Sequence, residues 1–267
     1  FPQLVAERLG VPSDVVTMRH GDTDAIINGG GHGSSRATYM AGTAIWRVAE
    51  EIEAKGKIVA ADMLEAAATE ITFAEGQFTV AGTDRSIGIL DVAKVALEAG
   101  TPLDTFHAFT RDAMTYPCGA HAAEVTVDQD TGVVRLVNYT AVDDYGVLVN
   151  PMVASGQVHG AIAQGVGQAL LEHAVYDEDG QLLAGSFMDY AMPRADDLPS
   201  FTLDFSPTPC TTNPLGVKGC GEAGAIAGYP AVTLAILDAL KPLGVEGWDG
   251  PAAPETIWHA IQAARSA

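Results

Sequence analysis

Three glycine-rich segments constrain the fold of this 267-residue chain more than any other feature, because each lies at the start of a predicted helix or inside one. They cover residues 28–36, 156–168 and 218–224. Glycine inside a helix costs about 1 kcal/mol relative to alanine. A helix that carries several glycines therefore gives up stability, and in return its backbone can be approached closely by a neighbouring element or a ligand.

The first segment, Asn28-Gly-Gly-Gly-His-Gly-Ser-Ser-Arg36, precedes a long amphipathic pattern that predicts a helix ending at Gly56. The first turn of a helix exposes unpaired N–H groups and a positive dipole end. Arg36 can hold a phosphate through two parallel hydrogen bonds. We interpret the segment as a cradle for an anion or a dinucleotide, and an N-cap serine after a flexible loop is the alternative.

The second segment places three amide side chains on one helical face, since Gln157, Gln164 and Gln168 are separated by whole turns. Gly156 and Gly160 flank the first of them and permit very close packing or close approach of a ligand. Tight packing of the helix against a sheet, with solvated glutamines, explains the glycines equally well. It explains the row of amides less well.

The third segment, Lys218-Gly-Cys-Gly-Glu-Ala-Gly224, formally contains the glycine spacing of a dinucleotide fingerprint. That fingerprint requires a preceding buried strand, which Pro214 and Gly216 break, and an acid about 20 residues later, for which Asp238 comes too early. What remains is Glu222, a carboxylate in a glycine-lined loop, which can act as a general base or stabilise a helix N-terminus. We expect burial to raise the pKa of Glu222 from about 4.3 toward neutrality.

The order of elements along the chain mixes helices and hairpins without a strand–helix–strand series, which favours an α+β fold with mixed and antiparallel sheets packed against helices. An irregular stretch near residues 102–117 indicates a boundary between two subdomains, 1–108 and 109–267. The first carries the glycine-rich loop and the second the glycine-rich helix and the Glu222 loop. The further predicted elements are a helix over 1–10, a strand over 15–20, a hairpin over 71–80, a helix over 90–98, a hairpin over 123–142, a helix over 152–173, a hairpin over 175–183, a strand over 201–205, and helices over 229–240 and 254–264.

The charge balance excludes several classes of function. With 14 Lys and Arg against 34 Asp and Glu, the formal net charge is −20, which argues against nucleic-acid binding and against a basic membrane-binding face. No window of 18 uninterrupted apolar residues predicts a membrane-spanning helix, and we expect a cytoplasmic protein. Three cysteines without a C-x-x-C pair argue against a disulfide framework, a zinc knuckle or an iron–sulfur cluster held by this chain. Cys118 and His121 lack a third ligand at metal spacing, and we interpret them as structural.

Taken together and in this order, the motifs resemble the molybdenum-binding large subunit of the xanthine dehydrogenase, aldehyde oxidase and carbon monoxide dehydrogenase family. The resemblance spans nearly the whole chain, and its last two motifs are specific to that family. That family's subunit is much longer, so the resemblance identifies this chain as its C-terminal part, consistent with a first residue that is Phe rather than Met. The matching segments are Gly21-Asp-Thr-Asp24, Ser35-Arg-Ala-Thr38, Asn150-Pro151, Gly156-Gln-Val-His-Gly160, Ala163-Gln-Gly165, Gly185-Ser-Phe-Met-Asp-Tyr-Ala-Met-Pro193 and Asn213-Pro-Leu-Gly-Val-Lys-Gly-Cys-Gly-Glu-Ala-Gly224.

The resemblance implies a molybdopterin cytosine dinucleotide cofactor whose pterin, rather than the protein, holds the molybdenum. It implies that Gln157 hydrogen-bonds the pterin and that Glu222 is the catalytic base. The remaining cofactor-binding positions that it implies are Gly33, Ser34, Ser35, Arg36, Ala37, Thr38, Lys218, Gly219, Cys220 and Gly221. It also implies partner chains: the N-terminal part of the molybdenum subunit, an iron–sulfur subunit with [2Fe-2S] and a flavin subunit with FAD, in a dimeric complex.

The chain departs from the family pattern at two positions in the first motif. Many relatives have serine where this chain has Ala37, and glycine is common where it has Ser34, so we expect the Ser34 hydroxyl to replace the one missing at position 37. The substrate is expected to be an aldehyde or an N-heterocycle rather than carbon monoxide. Two other hypotheses stay open: a non-catalytic cofactor-binding or assembly module, and a nicotinamide dehydrogenase that uses Gly219–Gly224.

Overall fold

The computed structural model describes residues 1–26 and 29–266, so Asn28 of the first glycine-rich segment lies outside the described residues. Within the described part of the chain, six α-helices and two three-stranded sheets confirm the predicted α+β class. The helices are α1 (Pro2–Leu9), α2 (Ala37–Met63), α3 (Ile89–Glu98), α4 (Pro151–Leu170), α5 (Ala223–Leu240) and α6 (Pro254–Ser266). The strands are β1 (Ile71–Ala74), β2 (Gln77–Val80), β3 (Ser86–Gly88), β4 (Cys118–Val127), β5 (Val134–Asp144) and β6 (Phe201–Phe205).

The chain forms two compact units. Unit 1 comprises Phe1–Thr115 and Cys210–Val217, and unit 2 comprises Tyr116–Pro209 and Lys218–Ala267. The sequence predicts a single boundary between two subdomains, after residue 108. In the structure, the segment 210–217 also belongs to unit 1. In that segment Leu215 packs on α2 so closely that a Cβ at Gly42 would lie 2.6 Å from its Cδ1. Such a long-range contact leaves no local signal in the sequence.

Unit 1 is built on α2 and an antiparallel sheet with the strand order β1-β2-β3. The predicted hairpin is confirmed, with Ile71 opposite Val80 and Phe73 opposite Phe78. The turn residues Glu75 and Gly76 both have positive φ, as a two-residue hairpin of this hand requires. The core of this unit includes Phe78, which is fully buried against the small residues of α2.

Helix α2 continues to Met63, so the prediction that Gly56 ends it is wrong. A Cβ at position 56 would lie 2.3 Å from Cζ of Phe78, because the aromatic ring rests directly on the helix backbone. Glycine at this position therefore serves close packing between the helix and the sheet, and the helix pays its entropic cost without ending there.

Unit 2 packs α4, α5 and α6 with a mixed sheet of the order β4-β5-β6, in which β4 and β5 are antiparallel and β5 and β6 are parallel. The predicted hairpin is confirmed and longer than expected, and the pairing shifts by one residue between Glu124 and Val125. The core side chains include Val158 and Ile162 from α4 and Val232 and Ile236 from α5. The interface between α4 and α5 is thus the centre of this unit.

Two further predictions are wrong, and a third is confirmed in a shorter form. Residues 15–20 form no strand, since only a 3₁₀ turn at Ser13–Val15 is present and no partner strand covers the exposed side chains that follow. The predicted hairpin over 175–183 is short: one antiparallel bridge joins Tyr176 to Leu182, and the Leu183 N–H donates to Val175 O at 2.8 Å. Helix α5 begins at Ala223 rather than 229, because its early turns pack on α4 and the helix tolerates Pro230.

One helical segment among the described residues, Ala223–Leu243, is long and apolar enough to cross a membrane by length and composition alone. The segment contains α5, whose side chains Val232, Ile236 and Leu240 lie in the core of unit 2. Only 28% of its most apolar 18-residue stretch is buried among the described residues, and a single helix of this length and composition is weak evidence for a membrane span. The sequence-based expectation of no membrane insertion stays a prediction.

Candidate functional site

The glycine-rich loop of unit 1 leads into α2, whose N-cap residue is Arg36 rather than a serine. The Arg36 side chain makes no capping hydrogen bond, so the N-cap residue itself satisfies none of the N–H groups of the first turn. The first intrahelical bond is donated by Met40 N to Arg36 O. This end of α2 presents the donors that an anion would take.

Two serines before the helix adopt left-handed backbone conformations. Ser34 has φ of 64° and Ser35 has φ of 51°, and neither is a glycine. A residue held in such a region costs about 1–3 kcal/mol, and strain of this kind clusters at ligand-binding sites. A Cβ added at Gly31 or Gly33 would meet no atom of residues 1–26 or 29–266 within 4 Å, so the described part of the loop also leaves open space beside its backbone.

The guanidinium of Arg36 donates a hydrogen bond from Nη2 to the carbonyl oxygen of Gly30 at 2.6 Å. This bond folds the arginine back over the glycine-rich loop. A guanidinium has five N–H donors in a planar fork, so one bond to a carbonyl leaves the geometry for a second, anionic acceptor. The contact ties the loop and the start of α2 into one local structure.

Helix α4 in unit 2 separates its glycines by role. A Cβ at Gly165 would lie 2.7 Å from Tyr229 N and 2.9 Å from Ala225 O, so this glycine allows α5 to pack backbone to backbone. A Cβ at Gly156 or Gly160 would meet no atom of the described residues within 4 Å. Packing among these residues therefore accounts for Gly165, and it does not account for the two glycines beside Gln157.

The amide row predicted from the sequence is exposed, since Gln157, Gln164 and Gln168 all lie on the surface of the described chain. Gln157 and the open backbone at Gly156 and Gly160 together form a polar surface on α4. A side chain as small as that of alanine at either glycine would occupy part of this surface. Helix α4 begins where Asn150 Oδ1 accepts the Val153 N–H at 3.1 Å, so its first turn is fixed. The surface is therefore presented by a capped and well-packed helix.

The loop from Lys218 to Glu222 leads directly into α5, and β6 is the strand that precedes it in the chain. Lys218 donates from its backbone N to Tyr145 O at 2.8 Å and from Nζ to Asp144 Oδ2 at 2.7 Å. Gly219 is buried, and Cys220 packs against the core, where burial raises the pKa of its thiol. The loop is thus held at its start and at its middle.

Glu222 occupies the N-cap position of α5, and its side chain makes no capping hydrogen bond. The side chain is exposed, so the burial expected from the sequence is not provided by the described residues of this chain. A role as helix cap is thereby disfavoured, while a role as an accessible carboxylate remains.

No strand leads into the glycine motif, since β6 ends at Phe205 and α5 begins at Ala223. The fold around Gly219–Gly224 therefore lacks the strand–turn–helix unit on which a nicotinamide-binding fingerprint depends. Across residues 1–26 and 29–266, no group of three or more His, Cys, Asp or Glu side chains is arranged to hold a metal ion.

Sequence reasoning missed a buried polar network on the sheet of unit 2. His121 contacts the Tyr139 hydroxyl through Nδ1 at 2.8 Å and Asp143 Oδ1 through Nε2 at 3.0 Å. Tyr145 donates its hydroxyl to Asp143 Oδ2 at 2.7 Å. Burial, together with the charge of Asp143, raises the pKa of both tyrosines well above the usual range. The alternation of more and less exposed residues along β4 places His121 on the inward face of the sheet. This alternation is the sequence signal that could have predicted a buried His121.

The predicted site residues fall into two groups. Unit 1 holds Gly33–Thr38 at the start of α2, and unit 2 holds Gln157 on α4 and the loop Lys218–Glu222. The unit 1 group offers backbone N–H groups, hydroxyls and the Arg36 guanidinium, a set that suits an anionic ligand. The unit 2 group offers the Gln157 amide and the Lys218 ammonium, and the open backbone at Gly156 and Gly160 leaves room for a polar ligand to lie against α4.

A family model described as a molybdopterin cofactor-binding domain matches residues 1–199. The chain is 33% identical over 270 residues to the carbon monoxide dehydrogenase large chain of Hydrogenophaga pseudoflava, covering 98% of this chain and 33% of that one. It is 35% identical to the 6-hydroxypseudooxynicotine dehydrogenase complex subunit gamma of Paenarthrobacter nicotinovorans, covering 97% of this chain and 34% of that one. The solved structure of quinoline 2-oxidoreductase from Pseudomonas putida 86 superposes with a TM-score of 0.89 at 34% identity, covering 98% of this chain and 34% of that one. The chain thus spans about a third of the length of these relatives.

Proposed function

Because the chain belongs to the molybdopterin cofactor-binding domain family, and to the molybdenum subunits of the xanthine dehydrogenase and carbon monoxide dehydrogenase group, we propose that it is part of a molybdenum-dependent oxidoreductase. The proposed reaction oxidises an aldehyde or an N-heterocycle with oxygen derived from water, and carbon monoxide is the less favoured substrate. Quinoline, for which one matching structure is named, is an N-heterocycle, which supports this order.

The proposed cofactor is molybdopterin cytosine dinucleotide with molybdenum. When bound, it supplies the two-electron oxidation, and the electrons leave to the proposed iron–sulfur and flavin subunits with [2Fe-2S] and FAD. Binding also needs the rest of the molybdenum subunit, in a complex that we propose to be dimeric. The open backbone at Gly156 and Gly160 beside Gln157 is the observation that carries this proposal, because a Cβ there would occupy space that none of the described residues fills.

The chain's own residues would divide the binding work. The uncapped first turn of α2 and the Arg36 guanidinium would hold anionic oxygens, and the Ser34 hydroxyl would add a donor where Ala37 has none. Gln157 would donate and accept with its amide at the ring system. The loop Lys218–Gly221 would lie beside the cofactor, with the Lys218 ammonium already bound to Asp144.

Glu222 would act as the general base and accept the proton of the oxygen nucleophile at a carboxylate oxygen. The position of this carboxylate supports the role, since it is exposed at the start of α5 and does not cap the helix. Glu222→Gln keeps the size and the hydrogen-bonding ability of the side chain and removes the base. Loss of a general base typically lowers the rate by about 10²–10⁴-fold.

The test is metal and nucleotide analysis of the complete subunit with its partners. Molybdenum together with cytidine monophosphate released by acid supports the proposal. Bound NAD would support a nicotinamide dehydrogenase instead, and a protein that binds neither would be an assembly module. Glu222→Gln should retain the cofactor and lose turnover, while Glu255→Gln, an exposed glutamate in the first turn of α6, should keep both. A Glu222→Gln enzyme with full cofactor and turnover within a few-fold of wild type would refute the assignment of the base.

A further inference from the structure

The last residue of β5, Asp144, is a buried carboxylate that contacts three separate segments of unit 2. Its Oδ1 accepts the Gly146 N–H at 2.8 Å and the Thr208 N–H at 3.0 Å. Its Oδ2 accepts a hydrogen bond from Lys218 Nζ at 2.7 Å, and Cys118 Sγ lies 4.0 Å from the same oxygen. The carboxylate therefore joins the turn after β5, the segment after β6 and the start of the Glu222 loop.

The ion pair between Asp144 and Lys218 is largely shielded from solvent, with 11% and 12% of the respective side chains exposed. Burial by itself would raise the pKa of Asp144, but the hydrogen bonds from Lys218, Thr208 and Gly146 outweigh it and hold this pKa well below the usual range. The carboxylate is thus charged wherever the enzyme is expected to work. A charged group with these partners is costly to disturb, because removing one partner leaves the other buried and unpaired.

The loop that carries Glu222 is fixed at both ends. At its start, Lys218 is held twice, by its ammonium on Asp144 and by its backbone N–H on Tyr145 O. At its end, Gly224 packs against α4 so tightly that a Cβ there would lie 2.8 Å from Val158 O. Only three residues, Gly219 to Gly221, separate Lys218 from Glu222, so a shift of Lys218 has little chain in which to be absorbed.

We propose that Asp144 is a positioning residue, which fixes the Glu222 carboxylate by anchoring Lys218 at the start of the loop. The inference rests on the proposed function of Glu222 as the base. Asp144 touches neither Glu222 nor a reacting atom, and it acts through the loop.

The neighbouring residue Asp143 provides a matched control. Asp143 and Asp144 are adjacent and both buried, but successive side chains of a strand point to opposite faces. Asp143 accepts hydrogen bonds from His121 and from the Tyr145 hydroxyl, and it makes none with Lys218. Replacing either carboxylate by its amide disturbs a buried network, and only the Asp144 substitution removes the charged partner of the Lys218 ammonium.

The first test measures turnover per bound molybdenum in the complete enzyme with its partner subunits. A misplacement of about 1 Å can cost about 10²-fold in rate, so Asp144→Asn should lower kcat by about 10- to 100-fold. In the Glu222→Gln background, Asp144→Asn should lower kcat by less than about threefold, because its effect passes through Glu222. Asp143→Asn should show no such dependence on Glu222. An Asp144→Asn enzyme within threefold of wild type, or a loss that multiplies with that of Glu222→Gln, overturns the inference.

The second test does not use activity. Hydrogen exchange of the backbone amides of residues 217–224 should be faster in Asp144→Asn and unchanged in Asp143→Asn, with thermal unfolding as the check that both variants are folded. Unchanged exchange in Asp144→Asn overturns the positioning role even if the enzyme contains molybdenum. Faster exchange in a protein that lacks molybdenum would leave the anchor intact and refute the proposed function alone.

Discussion

Alanine substitutions on α4 should have opposite effects on stability at two glycines of the same helix. At Gly165 a Cβ would lie 2.7–2.9 Å from three backbone atoms of α5, which cannot rotate away. Overpacking of this kind costs about 1–3 kcal/mol, and the better helix propensity of alanine returns about 1 kcal/mol. We take the upper part of the packing range because backbone atoms are contacted, so Gly165→Ala should destabilise unit 2 by about 2 kcal/mol.

At Gly160 the added Cβ meets no described atom within 4 Å, so only the helix propensity changes. Gly160→Ala should therefore stabilise the chain by about 1 kcal/mol. Urea unfolding followed by tryptophan fluorescence measures both variants, since Trp248 and Trp258 both lie in unit 2. The difference of about 3 kcal/mol between two alanines on one helix follows from where each glycine points. Equal changes in the two variants would refute this reasoning.

The same substitution should act in the opposite direction on cofactor binding. In the complete subunit, Gly160→Ala should lower the molybdenum and nucleotide content although it stabilises the chain, because the methyl group enters the surface beside Gln157. Wild-type occupancy in both Gly156→Ala and Gly160→Ala would show that this surface does not hold the cofactor.

Three other predictions concern the loop, the ion pair and the exposed surface. Arg36→Ala should lower the cofactor content of the complete enzyme and Arg36→Lys should restore it only in part, because lysine cannot bind in bidentate fashion; unchanged occupancy in Arg36→Ala would contradict this. Because the folded-state pKa of Asp144 is lowered, its contribution to stability is present above its ordinary value of 3.8 and is lost as the pH falls below that value; acid titration of unfolding should show this loss in wild type and not in Asp144→Asn. The chain by itself should bind ANS and scatter light as an associated species, since Phe187 and Met188 are 86% and 93% exposed; a monomer that binds no ANS would contradict this.

Local patterns were sufficient for the hairpins and for most helices. The alternation over 71–80 with Glu75-Gly76 at the turn, and the alternation over 123–142, each specify a strand pair by nearest-neighbour chemistry. The same patterns do not say which strands join a sheet, so the short strand β3 and the parallel pairing of β6 with β5 had to come from the structure. Strand pairing across long sequence separations is decided by tertiary packing and not by the alternation of apolar and polar residues within each strand.

The packing roles of the glycines and the partners of His121 could not be predicted from the sequence. Gly56 and Gly165 look alike in the sequence to Gly156 and Gly160, yet the first two lie under a partner and the last two face open space. Only the structure distinguishes these roles, because a glycine in the sequence shows that a Cβ is absent and does not show which atoms lie in its place. His121 was interpreted as structural, and its two buried partners lie 18 and 22 residues away on the adjacent strand.

The net charge of −20 shapes how the proposed cofactor can be held. A chain with this charge repels a phosphate-bearing ligand at long range, so attraction has to come from donors close to the binding surface. The described donors at the start of α2 are of this kind: backbone N–H groups, the hydroxyl of Ser34 and the guanidinium of Arg36, which is fixed by its bond to Gly30. Hydrogen bonds of this type depend on position within tenths of an ångström, whereas long-range charge attraction does not. The left-handed conformations of Ser34 and Ser35 fit this requirement. They fix the backbone just before α2, and they cost conformational free energy that a flexible loop would not spend.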